Sequence, residues 1–340
     1  MELPNFYNPD MSRDINYAPD NQLLFEQAAE YRRKHNIKSA STDKRNIQLL
    51  SIDLQKDFCF QTSPLYVGGR SGTGAMDDNR RIAEMIYRNI DIISGITVTL
   101  DSHVPWQIFF ATFWLDGNDQ PVNAHTVITT ESIKKGEYRP NPAAAHLCGG
   151  NYNWLCRQVT DYAEKLEKAG KYTLYIWPFH CLMGSRGYDL AGIIDEATMF
   201  HSFVRGVQRR PDVKGLSPFT ENYSVFSPEV MTSHNGITLG ERNTQTLDML
   251  CKADAVIIVG QAASHCVKSS IDDLLDEINQ RDPSLAEKVY VVRDCMSSVV
   301  IPGLVDFTDA SEDAFRRFSD AGMHVVESTT DVRDWPGMKL

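Results

Sequence analysis

The seven cysteines, at 59, 148, 156, 181, 251, 266 and 295, are odd in number and contain no C-x-x-C spacing. That pattern indicates neither a disulfide framework nor a cysteine-built zinc site. Basic residues are scarce: 34 Lys and Arg stand against 45 Asp and Glu, a formal charge of −11. Nucleic acid and anionic membrane surfaces are therefore not expected as partners. No apolar run approaches the roughly 18 residues of a membrane-spanning helix. The opening Met1-Glu-Leu-Pro-Asn-Phe-Tyr has neither the basic head nor the apolar stretch of a secretory leader. There is no internal repeat and no low-complexity tract. The expectation is a reduced, cytoplasmic, soluble protein.

What is present suits a large α/β domain. The 340 residues are 42% hydrophobic and 23% charged, enough for a sizeable core. Residues 1–45 are polar, carry Pro4, Pro9 and Pro19, and include a helix-like stretch over 21–35, which reads as an arm or capping extension. From Asn46 onward, strand and helix patterns alternate. Short apolar runs at 47–53, 96–101, 172–177, 255–260, 289–293 and 323–327 predict strands covered on both faces. Helices are predicted over 77–93, 154–169, 188–204, 239–252, 267–279 and 309–320. The pattern predicts one three-layer α/β domain over 46–340, with an inserted segment at about 117–170. Within it, 117–150 is rich in Asn, Pro, Gly and Ala, and a connection of that length is expected to border the pocket or a subunit contact.

Ligands in such sheets bind beyond the carboxyl ends of the strands, and the chemically capable residues gather there. Cys266 follows the apolar run ending at Gly260 and opens an amphipathic segment, so its thiol falls near a helix N-terminus. There the helix dipole favours a thiolate, and free N–H groups can receive an oxyanion. A buried structural cysteine is the plain alternative. Asp53 closes the first core strand, where an acid is costly without a partner. Asp101 and His103 close the second, and His180 follows the third in Trp177-Pro-Phe-His180. One carboxylate and two imidazoles form the ligand set of an open divalent site. Lys214 can hold a thiolate beside an acid, although a lone lysine before glycine is most often a surface residue.

Together these segments resemble the isochorismatase-like cysteine hydrolases, and among them the nicotinamidases. The resemblance rests on Asp53-Leu-Gln-Lys-Asp-Phe58, Asp101-Ser-His103, Trp177-Pro-Phe-His180-Cys and Gly260-Gln-Ala-Ala-Ser-His-Cys266-Val, with Lys214-Gly and Tyr223-Ser-Val-Phe226 falling between the last two. It implies a mainly parallel sheet of about six strands between helices, and an Asp53–Lys214–Cys266 triad. Arg205, before Gly206, is the alternative cation, at a longer spacing. The implied reaction is hydrolysis of a small carboxamide, nicotinamide first, through a thioester on Cys266. Backbone N–H groups of Ala262 and Cys266 are the expected oxyanion donors; Phe58, Trp177, Tyr223 and His265 are the expected pocket walls. One divalent ion is expected on Asp101, His103 and His180, with zinc ahead of iron or manganese. The expected partner is a small-molecule amide, and the expected assembly a homo-oligomer. Two departures stand out. Ala263 and Ser264 occupy positions where nicotinamidases usually carry Thr and Asp, and the segment between His103 and Trp177 is far longer than in that family. Both leave room for a ureido or carbamoyl amide as substrate; a non-catalytic binding protein on the same fold is the further alternative, against which the complete set of triad residue types argues.

Overall fold

The structure, a computed structural model, describes residues 1–170 and 172–338. Among these residues the main sheet has six strands: β1 (Ile47–Ile52), β2 (Gly95–Asp101), β3 (Arg210–Lys214), β4 (Ala255–Gly260), β5 (Val289–Val292) and β6 (His324–Val326). They lie in the order β6-β5-β4-β1-β2-β3, and every neighbouring pair is parallel. Central strands β1 and β4 are buried at every residue, which explains the unbroken apolar run of β4 and the mostly apolar one of β1. Helices α1 (Asn21–Lys34), α2 (Gly74–Arg88) and α4 (Gly192–Arg205) pack together as one group. Helices α5 (Thr244–Lys252), α6 (Lys268–Arg281) and α7 (Thr308–Asp320) form another. Helix α3 (Tyr152–Ala169) closes the inserted segment.

Two strand expectations are corrected. The run at 172–177 is not a strand of the main sheet: only Leu174–Tyr175 is extended, paired antiparallel with Val127–Ile128. A short apolar run is buried as well by a satellite ribbon as by a central sheet, and its composition does not distinguish the two. The sixth strand is instead Arg210-Pro-Asp-Val-Lys214, whose first four residues are exposed or half-exposed. Its proline and charges are what an edge strand tolerates and what blunts further pairing. Its register sets Lys214 opposite Asp101.

Gly260 ends β4 with a φ of 130°, and a Cβ there would lie 2.1 Å from the Ile52 carbonyl oxygen. Glycine is what lets β4 approach β1 at the rim that carries Asp53. The insertion is not a bare loop. It contributes Val122, Ile128, Ala144 and Ala145 to the core and pairs Trp114–Asp116 with Tyr138–Pro140.

The N-terminal extension packs on its own chain. Phe6 and Tyr31 meet Phe200 edge-on at 5.0 and 5.4 Å, and Tyr17 and Tyr87 both donate to the Glu196 carboxylate. Arg205, the alternative active-site cation, belongs to this contact instead. Its guanidinium binds Asp43 and donates to the Asp91 carbonyl at 2.9 Å, with only 1% of the residue exposed. Replacing Arg205 by Met should therefore cost about 3 kcal/mol, because Asp43 loses a mostly buried partner. Urea unfolding of the variant measures this; an unchanged midpoint would show that the extension is held by its aromatic contacts alone.

Candidate active site

Three consecutive strands of the sheet, β1, β2 and β3, each deliver an ionisable side chain to one rim. Asp53 follows β1 in a left-handed conformation, φ 48°, uncommon for a residue with a side chain. Thr99 on β2 secures it: its hydroxyl accepts the Asp53 N–H at 3.0 Å and donates to the Asp53 carboxylate. Gln55 then pairs with β2 as another strand would. Its side chain accepts the Asp101 N–H at 2.7 Å and donates to the Asp101 carbonyl at 2.8 Å.

Lys214 is the hub. Its Nζ lies 3.0 Å from Asp53 Oδ2, 3.0 Å from Asp101 Oδ1 and 3.7 Å from Cys266 Sγ, and it donates to the Asn222 carbonyl at 2.7 Å. Burial disfavours its charge, but Asp101 and Asp53 more than offset this and hold the ammonium's pKa well above its ordinary value. Burial pushes the Asp53 carboxyl up, with Lys214 only partly opposing it. Asp101 is equally buried, yet His103 and Lys214 hold it well below the usual carboxylate range. Burial also raises the Cys266 thiol well above its ordinary value, against Lys214 and with Asp53 adding. A protonated sulfur thus faces a carboxylate of raised proton affinity, a pairing suited to proton transfer.

Cys266 lies in a single wide turn, Ala263–Val267, that runs into α6. The Ala262 N–H has no hydrogen-bond partner among the described residues. The turn is braced from behind by Asp78, buried on α2, which accepts from Gln261 Nε2 at 2.8 Å, Ser297 Oγ at 2.6 Å and Arg81 at 2.7 Å.

Asp101, His103 and His180 offer ligand atoms that all lie within 4.8 Å of one another. Asp101 Oδ2 is 2.9 Å from His103 Nε2 and 3.7 Å from His180 Nε2. His180 Nδ1 donates to the Pro178 carbonyl at 2.8 Å, which leaves Nε2 as the free lone pair. His103 Nδ1 is turned to the Gly215 carbonyl at 3.4 Å, so it too presents Nε2. Imidazoles oriented by carbonyls on the far nitrogen, with a carboxylate between them, fit a divalent ion. His180 reaches this point although its strand is absent from the main sheet. His103 N–H donates to Cys181 O and Met183 N–H to His103 O, and Asp57 holds Cys181 N–H at 2.8 Å.

The chamber above the thiol is narrow, with a volume of about 30 Å³. Phe58, Trp177, Tyr223 and His265 all line it, as do Asp101, His180, Ala262 and Cys266. Trp177 Nε1 donates to Tyr223 Oη at 3.0 Å, fixing two of the walls. Glu221 also lines it, a residue the motifs did not single out; its only signal was an acid within the mostly uncharged stretch from Leu216 to Phe226. Burial, with Asp101 adding, pushes its carboxyl up to about 8. Segment 117–150 contributes nothing to this chamber among the described residues, but Val127 lines a wider cleft outside it.

No family model matches the chain, and no curated protein matches it in sequence. Solved structures match it in three dimensions. A nicotinamidase/pyrazinamidase of Acinetobacter baumanii is 16% identical, with 85% of this chain and 99% of that one covered and a TM-score of 0.50. The yeast nicotinamidase is 19% identical over 83% of this chain and 99% of its own, at 0.49. A pyrazinamidase of Pyrococcus horikoshii in complex with zinc is 16% identical over 83% and 99%, at 0.43. The first of these likenesses shows a shared isochorismatase-like fold.

Thr99 is the support whose removal is cleanest to test. Thr99→Val keeps the shape but leaves the Asp53 N–H and carboxylate without their shared hydroxyl. Stability should fall by about 1–3 kcal/mol, the cost of an unpaired buried polar group. Chemical denaturation of the variant checks this, and a loss below a few tenths would show that Lys214 alone secures Asp53.

Proposed function

We propose that the protein is a metal-dependent cysteine amidohydrolase that converts a small aryl carboxamide to its acid and ammonia, with nicotinamide the first candidate. The observation that carries this reading is the single Lys214 ammonium in contact with Asp53, Asp101 and Cys266 at once. A nucleophile, a proton acceptor and a metal-ligating carboxylate are organised by one charge, more than a structural core requires. The name borne by the Acinetobacter protein of shared fold supports the choice of amide.

In this mechanism Asp53 takes the Cys266 proton as sulfur bonds to the amide carbon. Negative charge builds on the carbonyl oxygen, which the Ala262 and Cys266 N–H groups receive; losing one such donor typically costs about 2.7–4 kcal/mol. Asp53 returns its proton to the amide nitrogen as the carbon–nitrogen bond breaks and ammonia leaves. The thioester that remains is attacked by water, whose proton passes to Asp53 and then to the departing sulfur. The raised proton affinity of Asp53 suits it to both directions of transfer. Lys214 keeps the acid and the sulfur in register. Phe58, Trp177 and Tyr223 offer aromatic faces to a flat ring. Asp101, His103 and His180 would hold one divalent ion, zinc first, which supplies a Lewis-acid point for a ring nitrogen or a water.

Ammonia release from nicotinamide tests the reading. Cys266→Ala and Asp53→Asn should each lower turnover by at least about 10³-fold while retaining the folded circular-dichroism spectrum. Substantial activity in purified Cys266→Ala would end the thioester mechanism.

The metal assignment is checked separately. Elemental analysis should find about one divalent ion per chain, and Asp101→Asn or His180→Ala should abolish it. Metal retained in both variants would place the ion elsewhere.

A further inference from the structure

The narrow chamber over Cys266 is not closed. Trp177, Tyr223 and His265 also line a second cleft of about 520 Å³ on its outer side. That cleft is strongly aromatic. Tyr172 stacks on His265 at 5.6 Å with 17° between the rings, Tyr175 packs against Trp177 at 4.4 Å, and Phe307 meets His265 edge-on at 4.9 Å. Among its described lining residues the charged one is Glu167, whose Oε1 already accepts the Thr130 N–H at 2.8 Å. The described residues of the cleft offer flat apolar faces, and the Lys268 ammonium lies over the Tyr172 ring, 5.7 Å from its centroid.

His265 stands at the junction, and its hydrogen bonds define which ring nitrogen carries the proton. Ser264 Oγ accepts the Val299 N–H at 3.1 Å and lies 2.9 Å from His265 Nδ1. The hydroxyl proton has no other acceptor among the described residues, so donation to Nδ1 is the arrangement that leaves it paired. Burial pushes the imidazole down to about 4, so the ring is neutral and its one proton sits on Nε2. Nε2 has no partner among the described residues, although the residue is only 6% exposed. That free donor faces the cleft and is available to a ligand acceptor at the junction.

We propose that the substrate is an extended aryl carboxamide: its amide end reaches the inner chamber, a second flat ring lies in the outer aromatic cleft, and His265 Nε2–H donates to an acceptor atom of that second ring. The proposal rests on the amidohydrolase reading for its chemistry but on the outer cleft for its specificity. Val127 and Tyr175, paired in the satellite ribbon, bring the inserted segment to the wall of this cleft. The long insertion thus has a place in substrate selection without covering the thiol.

The test compares three amides: nicotinamide, a two-ring heteroaryl carboxamide with an acceptor nitrogen in the second ring, and the same compound with that nitrogen replaced by CH. The two-ring acceptor compound should exceed nicotinamide in kcat/KM by about tenfold or more, and the CH analogue should lose about tenfold of that. Tyr175→Ala should erase the two-ring advantage while leaving nicotinamide within about twofold, and His265→Phe should remove the discrimination between nitrogen and CH. No two-ring advantage, or equal losses on both amides in Tyr175→Ala, would overturn the proposal and leave the hydrolase reading intact. If no amide is hydrolysed, calorimetric binding of the two-ring compound to Cys266→Ala decides. Binding weakened about tenfold by Tyr175→Ala supports the cleft while the hydrolase reading falls. Absence of binding overturns the cleft as well.

Discussion

One buried ammonium organises this protein. A lysine with 3% of its side chain exposed is tolerable only because two carboxylates and a backbone carbonyl surround it. Those carboxylates cannot be interchanged. Asp101 shares its charge with two imidazoles and stays ionised, whereas Asp53 has Lys214 and a hydroxyl and is pushed toward its protonated form. Two acids on adjacent strands thereby acquire different proton affinities from their neighbours alone.

The arrangement depends on the sheet. Lys214 meets Asp101 because β3 pairs with β2 in the register that sets those residues opposite each other. Asp53 meets both because β1 lies on the other side of β2 and ends at the same rim. Thr99 ties β1 to β2 at that level, and Gln55 extends the pairing one residue further. An edge strand of low apolar content is an unusual place for a buried lysine. Only its last residue turns inward, with Arg210 to Val213 left at the surface or half-covered.

The additions to the central domain have separate consequences. The N-terminal extension covers α4 through Phe6, Tyr31 and the Arg205–Asp43 pair, and so contributes to stability. The insertion pairs with the chain on either side of it in two small ribbons, one of which brings Val127 and Tyr175 to the outer cleft. The core sheet, the N-terminal extension and the wall of the outer cleft are therefore built from different stretches of the chain.

The central strands were visible in sequence because burial on both faces demands uninterrupted Val, Ile and Leu, as in Ala255-Val-Ile-Ile-Val-Gly260. The position of Cys266 at the entry to a helix was visible for a similar reason, since a strand, a small-residue turn and an amphipathic segment follow one another directly. Asp53, Asp101, His103 and His180 showed themselves as costly residues at the ends of apolar runs. What composition did not reveal was the partner of each element. The run before Trp177 has the character of a core strand yet pairs with Val127–Ile128, and Arg210–Lys214 has the character of a loop yet completes the sheet. Glu221 and Asp78 were silent because a single acid in a local stretch carries no record of the buried groups it will face. By itself the sequence determined which segments must be buried and which residues are chemically capable. Pairing, register and the environment that separates Asp53 from Asp101 were decided by tertiary structure, since each depends on neighbours distant along the chain.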